Sequence, residues 1–465
     1  MASHRTAPDP QQTQMPGGIP YIVGNEAAER FSFYGMRVIL AAFLTKHLVG
    51  LDGEPDNLTE EQATAAISWF IAATYTTPFV GAIIADRYFG KYRTILWLSL
   101  FYCAGHALMA MVDTPLAETI RSRYILYIGL ALIACGAGAI KPCVTAHVGD
   151  QFGTSNKHLL PRVYSWFYFS INLGAIGSQL LTPWLLNHPS FGPAWAFGVP
   201  GVLMAIATFM FWLGRNKFVH VPPSGSAFWK ETLSPEGVRA LLNLLPLLLF
   251  VAMFWSLFDQ TASAWVFQAD KMDLRLPLLG FSLDPSQMQA INGMFVLTLV
   301  PLFSIVVYPF VDRFIAVTPL RKIGAGLFIT AGSFAVSALI EQRITDGQTP
   351  SIGWQILAYF ILTAAEVLIS ITMLEFFYTQ APRRMKSFVM AFCMISISIG
   401  NIFTALVNTF IEREDGTVLL PGASYYWFFA GSMLVVAIAY LAWAPFYRGS
   451  TYLQGEEEVV ADAHG

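Results

Sequence analysis

The sequence predicts an all-α polytopic membrane protein of twelve spans, and three observations carry that expectation. Of its 465 residues, 55% are apolar and only 12% charged, too little charge to clothe a soluble globule of this size. The apolar residues gather in blocks of about 20, the length at which a helix crosses a bilayer. The charges that interrupt those blocks also recur at a nearly constant offset between the two halves of the chain.

Residues 1–19 are polar and rich in Pro, Gln and Gly, with no apolar centre of a cleavable signal peptide, and are read as a disordered cytoplasmic tail. The first span, 21–49, opens with EAAERFSFYGMR. At 100° per residue, Glu26, Arg30, Phe33 and Arg37 fall on one narrow stripe, with Glu29 and Tyr34 on its shoulders. An ionised group at the bilayer centre costs roughly 2.5 kcal/mol or more, so this stripe faces a partner or a wet cavity. A functional cavity is the default reading, and a charged seam that only fixes packing is the alternative.

Span two, 62–86, ends in GAIIADRYFGKYR. Asp86, Arg87 and Lys91 there make a tight basic turn, read either as a conformational latch at the inner ends of the helices or as a purely structural turn. Spans three to six follow at 94–112, 123–149, 162–187 and 194–213. Span four carries Lys141 in GAGAIKPCV, where small residues permit close helix approach and Pro142 loosens the backbone. Span five carries Tyr168 and Asn172, which as isolated polar residues read first as interhelical hydrogen-bonders. Residues 20–214 thus form a first six-helix bundle, and 215–240, with VPPSGS and several basic residues, a cytoplasmic linker too short and polar to hide more spans.

The second bundle, 241–447, has spans at 241–268, 286–311, 320–340, 352–380, 385–411 and 424–446, and the acidic stretch 448–465 is a solvated cytoplasmic tail. Its polar intramembrane residues are Asp259 beside Trp255 and Phe258 on span seven, Asn292 on span eight, and Glu366 with Ser370 one turn later on span ten. Lysine and arginine are about twice as frequent in the proposed inner loops as in the outer ones, which sets both termini in the cytoplasm.

The halves echo each other. Asp86-Arg87 recurs as Asp312-Arg313, 226 positions on; Lys141 answers to Glu366 at 225 and Arg37 to Asp259 at 222. Equivalent helices therefore carry opposite charges, and repeat-built transporters place their site between the halves. Two gating pairs are expected, Arg37 with Asp259 and Lys141 with Glu366, each formed in one state and open in another.

Other classes find little support. The net charge of −3 and the absence of a basic patch argue against nucleic acid. Cys103, Cys135, Cys143 and Cys393 all sit in apolar blocks without metal-ligand spacing, so neither a disulfide nor a metal is expected. No HExxH pair, GxSxG elbow or glycine-rich phosphate loop is present, so neither an enzyme nor a cofactor is expected.

Five stretches carry a family likeness: Glu26–Arg37, Gly81–Thr94 (GAIIADRYFGKYRT), Lys141–Phe152 (KPxVxxxVGDQF), Phe167–Gly174 (FYFSINLG) and Glu366–Pro382. Together they resemble the proton-dependent oligopeptide transporters of the major facilitator superfamily along nearly the whole chain. The resemblance implies a major facilitator fold of 12 transmembrane helices in two six-helix bundles, importing di- and tripeptides with protons across the plasma or inner membrane, and the chain is read as a monomer. It implies proton coupling at Glu26, Glu29 and Arg30. Substrate would be bound by Tyr34, Arg37, Tyr75, Lys141, Tyr168 and Asn172 in the first half, and by Trp255, Phe258, Asn292, Glu366 and Ser370 in the second, with Asp259 at the equivalent pocket position.

A peptide zwitterion needs cations for its carboxylate, here Arg37 and Lys141, and an anion for its amino group, here Glu366. Aromatic side chains would line permissive side-chain pockets. The chain departs from the family pattern in four places. It lacks the two extra helices of many bacterial members. Ser68 stands where animal members have a histidine, Cys393 where many bacterial members have a tryptophan, and Phe33 where tyrosine is commoner. The rival readings are the same fold carrying nitrate, an amino acid or a peptide-like drug, and a non-transporting substrate sensor.

Overall fold

A computed structural model describes residues 5–223, 225, 234–276, 280, 282–380, 386–413 and 415–447. Among them there are helices, turns and isolated bridges but no strand. That is the expected outcome for a chain whose backbone groups must be satisfied within each segment inside lipid. The long helices are α1 (Ile19–Lys46), α2 (Glu60–Ile84), α3 (Lys91–Met109), α4 (Ser122–Asp150), α5 (Leu160–Asn187) and α6 (Gly192–Leu213), then α7 (Pro235–Phe258), α8 (Gln289–Leu302), α9 (Pro319–Thr345), α10 (Gly353–Glu366), α11 (Lys386–Ile411) and α12 (Ala423–Trp443).

Nine helices among the described residues are long and apolar enough to cross a membrane; α1, α3 and α5 are not among them. For α1 the reason is visible in its sequence, since Glu26, Glu29, Arg30 and Arg37 dilute an otherwise apolar run. The large apolar side chains exposed along the helices, such as Phe169, Val202 and Val435, are what a lipid-facing surface needs.

The chain divides into two compact units, residues 1–58 with 73–230, and residues 59–72 with 231–465. In the first, α1 packs between α5 and α6, and α3 against α4. The first unit differs from the sequence-based bundle 20–214 in taking in 1–19 and 215–230 and in leaving the opening of α2 to the second unit. Polar contacts accompany that last grouping: Glu60 pairs with Lys271 at 2.9 Å, Gln62 donates to Glu412 at 3.0 Å, and Ser398 donates to the Ala72 carbonyl at 2.9 Å. In the second unit α9 packs on α12 and α10, and α7 on α11.

Two glycines set the close approaches. A Cβ on Gly174 of α5 would stand 2.5 Å from the Ala27 carbonyl oxygen and 3.1 Å from the Phe31 nitrogen, so only hydrogen fits where α5 crosses α1. Gly138 of α4 lies so near Thr77 and the Thr74 carbonyl of α2 that a Cβ there would overlap both. Hydroxyls then lock the contacts: Ser32 donates to the Pro200 carbonyl at 2.6 Å, and Thr182 to the Gly35 carbonyl at 2.7 Å. Gly174→Leu is expected to destabilise the protein by about 1–3 kcal/mol through overpacking, read as a lowered thermal midpoint in detergent. An unchanged midpoint would contradict the tight α1–α5 crossing.

Several helices change pitch mid-course. The backbone widens to π-helix at Ala85–Phe89, Phe303–Val307 and Val367–Ile371, and tightens to a 3₁₀ turn at Asp259–Ala262 before resuming at Ala264–Asp270. Such departures recur at functional sites and hinges. Three of them touch expected site residues: the Asp86-Arg87 turn, Asp259, and the segment following Glu366.

The amino-terminal segment departs from the disordered tail expected of it. His220 donates its backbone N–H to the Arg5 carbonyl at 2.7 Å, Asn156 donates to the Gln14 carbonyl at 3.2 Å, and Ser155 donates to the Pro10 carbonyl. Carbonyls along an irregular segment thus find donors on the loop after α4 and on the chain after α6. The linker's 224 and 226–233, and the tail 448–465, lie outside the described residues.

Candidate functional site

In the first unit the site is built on α1. Burial of its EAAERFSFYGMR stretch takes Glu26, Glu29, Arg30 and Arg37 out of solvent together. Arg30 answers both acids: its Nε donates to Glu26 Oε1 at 2.7 Å and lies 2.8 Å from Glu29 Oε2. Two carboxylates therefore share one guanidinium. Such a cluster can take up and give back one proton while keeping an ion pair, because one acid suffices to balance Arg30.

Lys141 faces α1 from α4, about one turn beyond Gly138, where α4 comes close to α2. Its Nζ sits 3.9 Å above the Phe33 ring centre and 4.5 Å from that of Tyr75. The Phe33 departure thus gains a use: a ring face opposite a cation, favourable without a hydroxyl. Among the described residues Nζ has no hydrogen-bond acceptor, although only 8% of the residue is exposed. Tyr34 stands edge-to-face to Phe33, centroids 5.6 Å apart, and Arg37 lies one turn further along α1. Asn172 lies on α5, two residues before the Gly174 crossing. Tyr168 belongs to the same helix, but its side chain lies outside the described residues.

The turn after α2 is not closed by its own residues alone. Gly90 ends the π-turn with φ near +75°, open to glycine at little strain. Lys91 pairs with Asp150 at the end of α4 at 2.8 Å, and the Arg87 guanidinium lies 5.0 Å from the Tyr88 ring centre. Asp150 thus joins the residues on which the latch reading rests, Asp86, Arg87 and Lys91.

In the second unit Glu366 ends the regular part of α10 and is met by α8. Asn292 donates one hydrogen bond to Glu366 Oε2 at 2.7 Å and another to Thr363 Oγ1 at 3.0 Å. Ser370 falls within the π-turn that follows, and its hydroxyl has no hydrogen-bond partner among the described residues. On α7, Trp255 and Phe258 stand edge-to-face, centroids 5.4 Å apart, and the indole N–H of Trp255 has no acceptor among the described residues. Asp259 opens the 3₁₀ turn and accepts from Asn401 of α11 at 2.7 Å. Ser68 and Cys393 are both buried within this unit.

Sequence reasoning passed over Thr363, Asn401 and Asp150. Asn401, an amide inside the apolar run of α11, carried a signal of the same kind as Asn292. Asp150 at the end of α4 could be matched to Lys91 only with the helices in place.

Known proteins resemble this chain along most of its length. The family model described as PTR2, POT family, matches residues 92–233 and 227–428. The chain is 36% identical over 381 residues to Peptide transporter 3 of Caenorhabditis elegans, covering 73% of this chain and 53% of that one, and it spans about half the length of the curated relatives it matches. Among solved structures, that of the POT family transporter PepTSo aligns at a TM-score of 0.82 and 36% identity, covering 93% of this chain and 99% of the other. An auto-inhibited POT family peptide transporter aligns at 0.83 and 34%, covering 96% and 99%. The all-helical membrane architecture is common to these structures, and the matched segments take in both units and the helices that carry Lys141, Asn292 and Glu366. On these grounds the chain belongs to the POT family.

Proposed function

We propose that the protein is a proton-coupled symporter that imports di- and tripeptides by alternating access, with twelve spans in two six-helix bundles and both termini on the cytoplasmic face of the plasma or inner membrane. The observation that carries this reading is Lys141, a buried ammonium held over two aromatic rings with no hydrogen-bond acceptor among the described residues. A desolvated cation in that condition is poised for an anion, and a peptide carboxylate supplies one, with Arg37 as a second, bidentate donor. Glu366, oriented by Asn292, supplies the counter-charge for the peptide amino group. The proposed substrate-binding set also includes Tyr34, Tyr75, Tyr168, Trp255 and Phe258 for peptide side chains, with Asn172 and Ser370 as adaptable polar contacts.

Protons enter through Glu26, Glu29 and Arg30. Protonating one carboxylate frees the guanidinium of one of its two partners and changes which state of the bundle is preferred. Arg37 with Asp259, and Lys141 with Glu366, form pairs across the bundles in one state that give way to peptide in another. The turn at Asp86, Arg87 and Lys91, with Asp150, holds the inner ends of the first bundle.

Charged groups for both peptide ends make length the discriminating property, since each added residue lengthens an extended chain by about 3.3–3.6 Å. In vesicles holding the purified protein, uptake of labelled dialanine is expected to be competed by unlabelled dialanine and trialanine, and not by tetra-alanine, alanine or nitrate at equal concentration. Equal competition by nitrate or alanine would replace peptide with that cargo. Glu366 speaks against nitrate, because an ionised carboxylate in the site repels a simple anion.

A further inference from the structure

The second unit contains a large apolar cavity away from Asn292 and Glu366, bounded by α8 with its π-turn, α9, and the end of α12. Its volume is about 1050 Å³, with walls that include Phe303, Val307, Phe328, Ile329, Leu368 and Leu441. That is just above the roughly 300–1,000 Å³ usual for ligand pockets. On its α8 side the surface is apolar and open, with Ile305 73% exposed and Phe310 58%. In a multi-pass membrane protein such a surface meets lipid.

One end of the cavity is cationic. Thr318, Arg321 and Lys322 line it at the first turn of α9. Arg321 Nη1 donates to the Ala316 carbonyl at 2.9 Å, and Lys322 Nζ lies 4.2 Å from the Tyr308 ring centre. The loop before α9 carries Asp312, whose Oδ1 accepts the Val317 N–H at 2.9 Å. The two cations that line the cavity, Arg321 and Lys322, thus have as nearby acids Asp312, whose Oδ1 is already engaged, and Glu375, whose charge reaches Tyr308. The other end lies deep: from Pro319 to Ile329 the helix rises about 15 Å, half of a hydrocarbon core of roughly 30 Å. A basic rim at the interface, continuous with an apolar slot one leaflet deep, has the dimensions and charge order of a phospholipid.

We propose that this cavity binds one anionic glycerophospholipid, with its phosphate at Arg321 and Lys322 and one acyl chain along α9. Attraction to an anionic headgroup is worth about fivefold in affinity per basic side chain, hence about thirtyfold for two. The test is native mass spectrometry of the full-length, delipidated protein titrated with phosphatidylglycerol or phosphatidylcholine. Phosphatidylglycerol is expected to bind about thirtyfold more tightly, and Arg321→Gln with Lys322→Gln together to bring the two lipids within threefold. Ala325→Phe, which fills the slot from α9, is expected to weaken both lipids, and millimolar inorganic phosphate is expected to displace neither. Equal binding of the two lipids, an unchanged preference in the double variant, full binding by Ala325→Phe, or displacement by phosphate would each overturn the proposal.

Discussion

Vesicles containing Glu26→Gln protein are expected to exchange internal for external labelled peptide at close to the wild-type rate and yet to accumulate none against a gradient. Arg30 contacts Glu26 at 2.7 Å and Glu29 at 2.8 Å, so the substitution leaves one carboxylate for one guanidinium. The remaining pair is neutral and complete, and breaking a buried pair costs on the order of 3–5 kcal/mol. A proton then has no acid to occupy except at that cost, and the cycle loses its dependence on protons while the peptide site is untouched. The loss is large. A potential of 100 mV supplies about 2.3 kcal/mol per proton and one pH unit about 1.4, together several hundredfold accumulation of a neutral peptide at one proton per cycle. Proton-driven accumulation that survives in Glu26→Gln would remove this cluster from the coupling step.

Lys141→Ala is expected to raise the KM for dialanine by about thirtyfold or more, the 2 kcal/mol or greater that follows when one partner of a buried charge pair is removed. A structural role for Lys141 would also impair transport, so the discriminating substrate is dialanine amide, which has no carboxylate. Wild-type protein should bind the amide about as poorly as the variant binds dialanine, and the variant should scarcely distinguish the two. If the variant still favoured the free acid by the wild-type factor, Lys141 would not be the carboxylate's partner. The Phe33 and Tyr75 rings hold Nζ at 3.9 and 4.5 Å from their centres, a contact that orients the ammonium without satisfying its hydrogen bonds.

What was legible in the chain was what interrupts an apolar run. Glu26, Arg30, Lys141, Asp259 and Glu366 stand out because a charge inside a span is costly and therefore rare. Gly138 and Gly174 stand out because small residues near polar ones mark close helix crossings. The same polarity makes α1 a poor span by hydropathy alone. What stayed hidden depends on partners distant in sequence. The π-turn that follows Glu366 and the 3₁₀ turn at Asp259 arise from backbone bonding that no local pattern announces, and Asn401 becomes meaningful only 2.7 Å from Asp259. The grouping of 59–72 with the second unit is accompanied by polar contacts of Thr59, Glu60, Gln62 and Ala72, none of them between neighbours in sequence. The composition of the amino-terminal segment offers little to bury, yet its backbone carbonyls accept hydrogen bonds from donors elsewhere on the first unit.

The central claim is that a proton gradient drives peptide into the cell through this protein. Its most direct test is uptake of labelled dialanine into vesicles holding the purified full-length chain under an inward proton gradient, with and without an uncoupler. The account predicts accumulation well above the external concentration and its collapse to equilibrium when the uncoupler is added. Uptake that stops at equilibrium with the gradient intact, or accumulation that the uncoupler leaves unchanged, would contradict it.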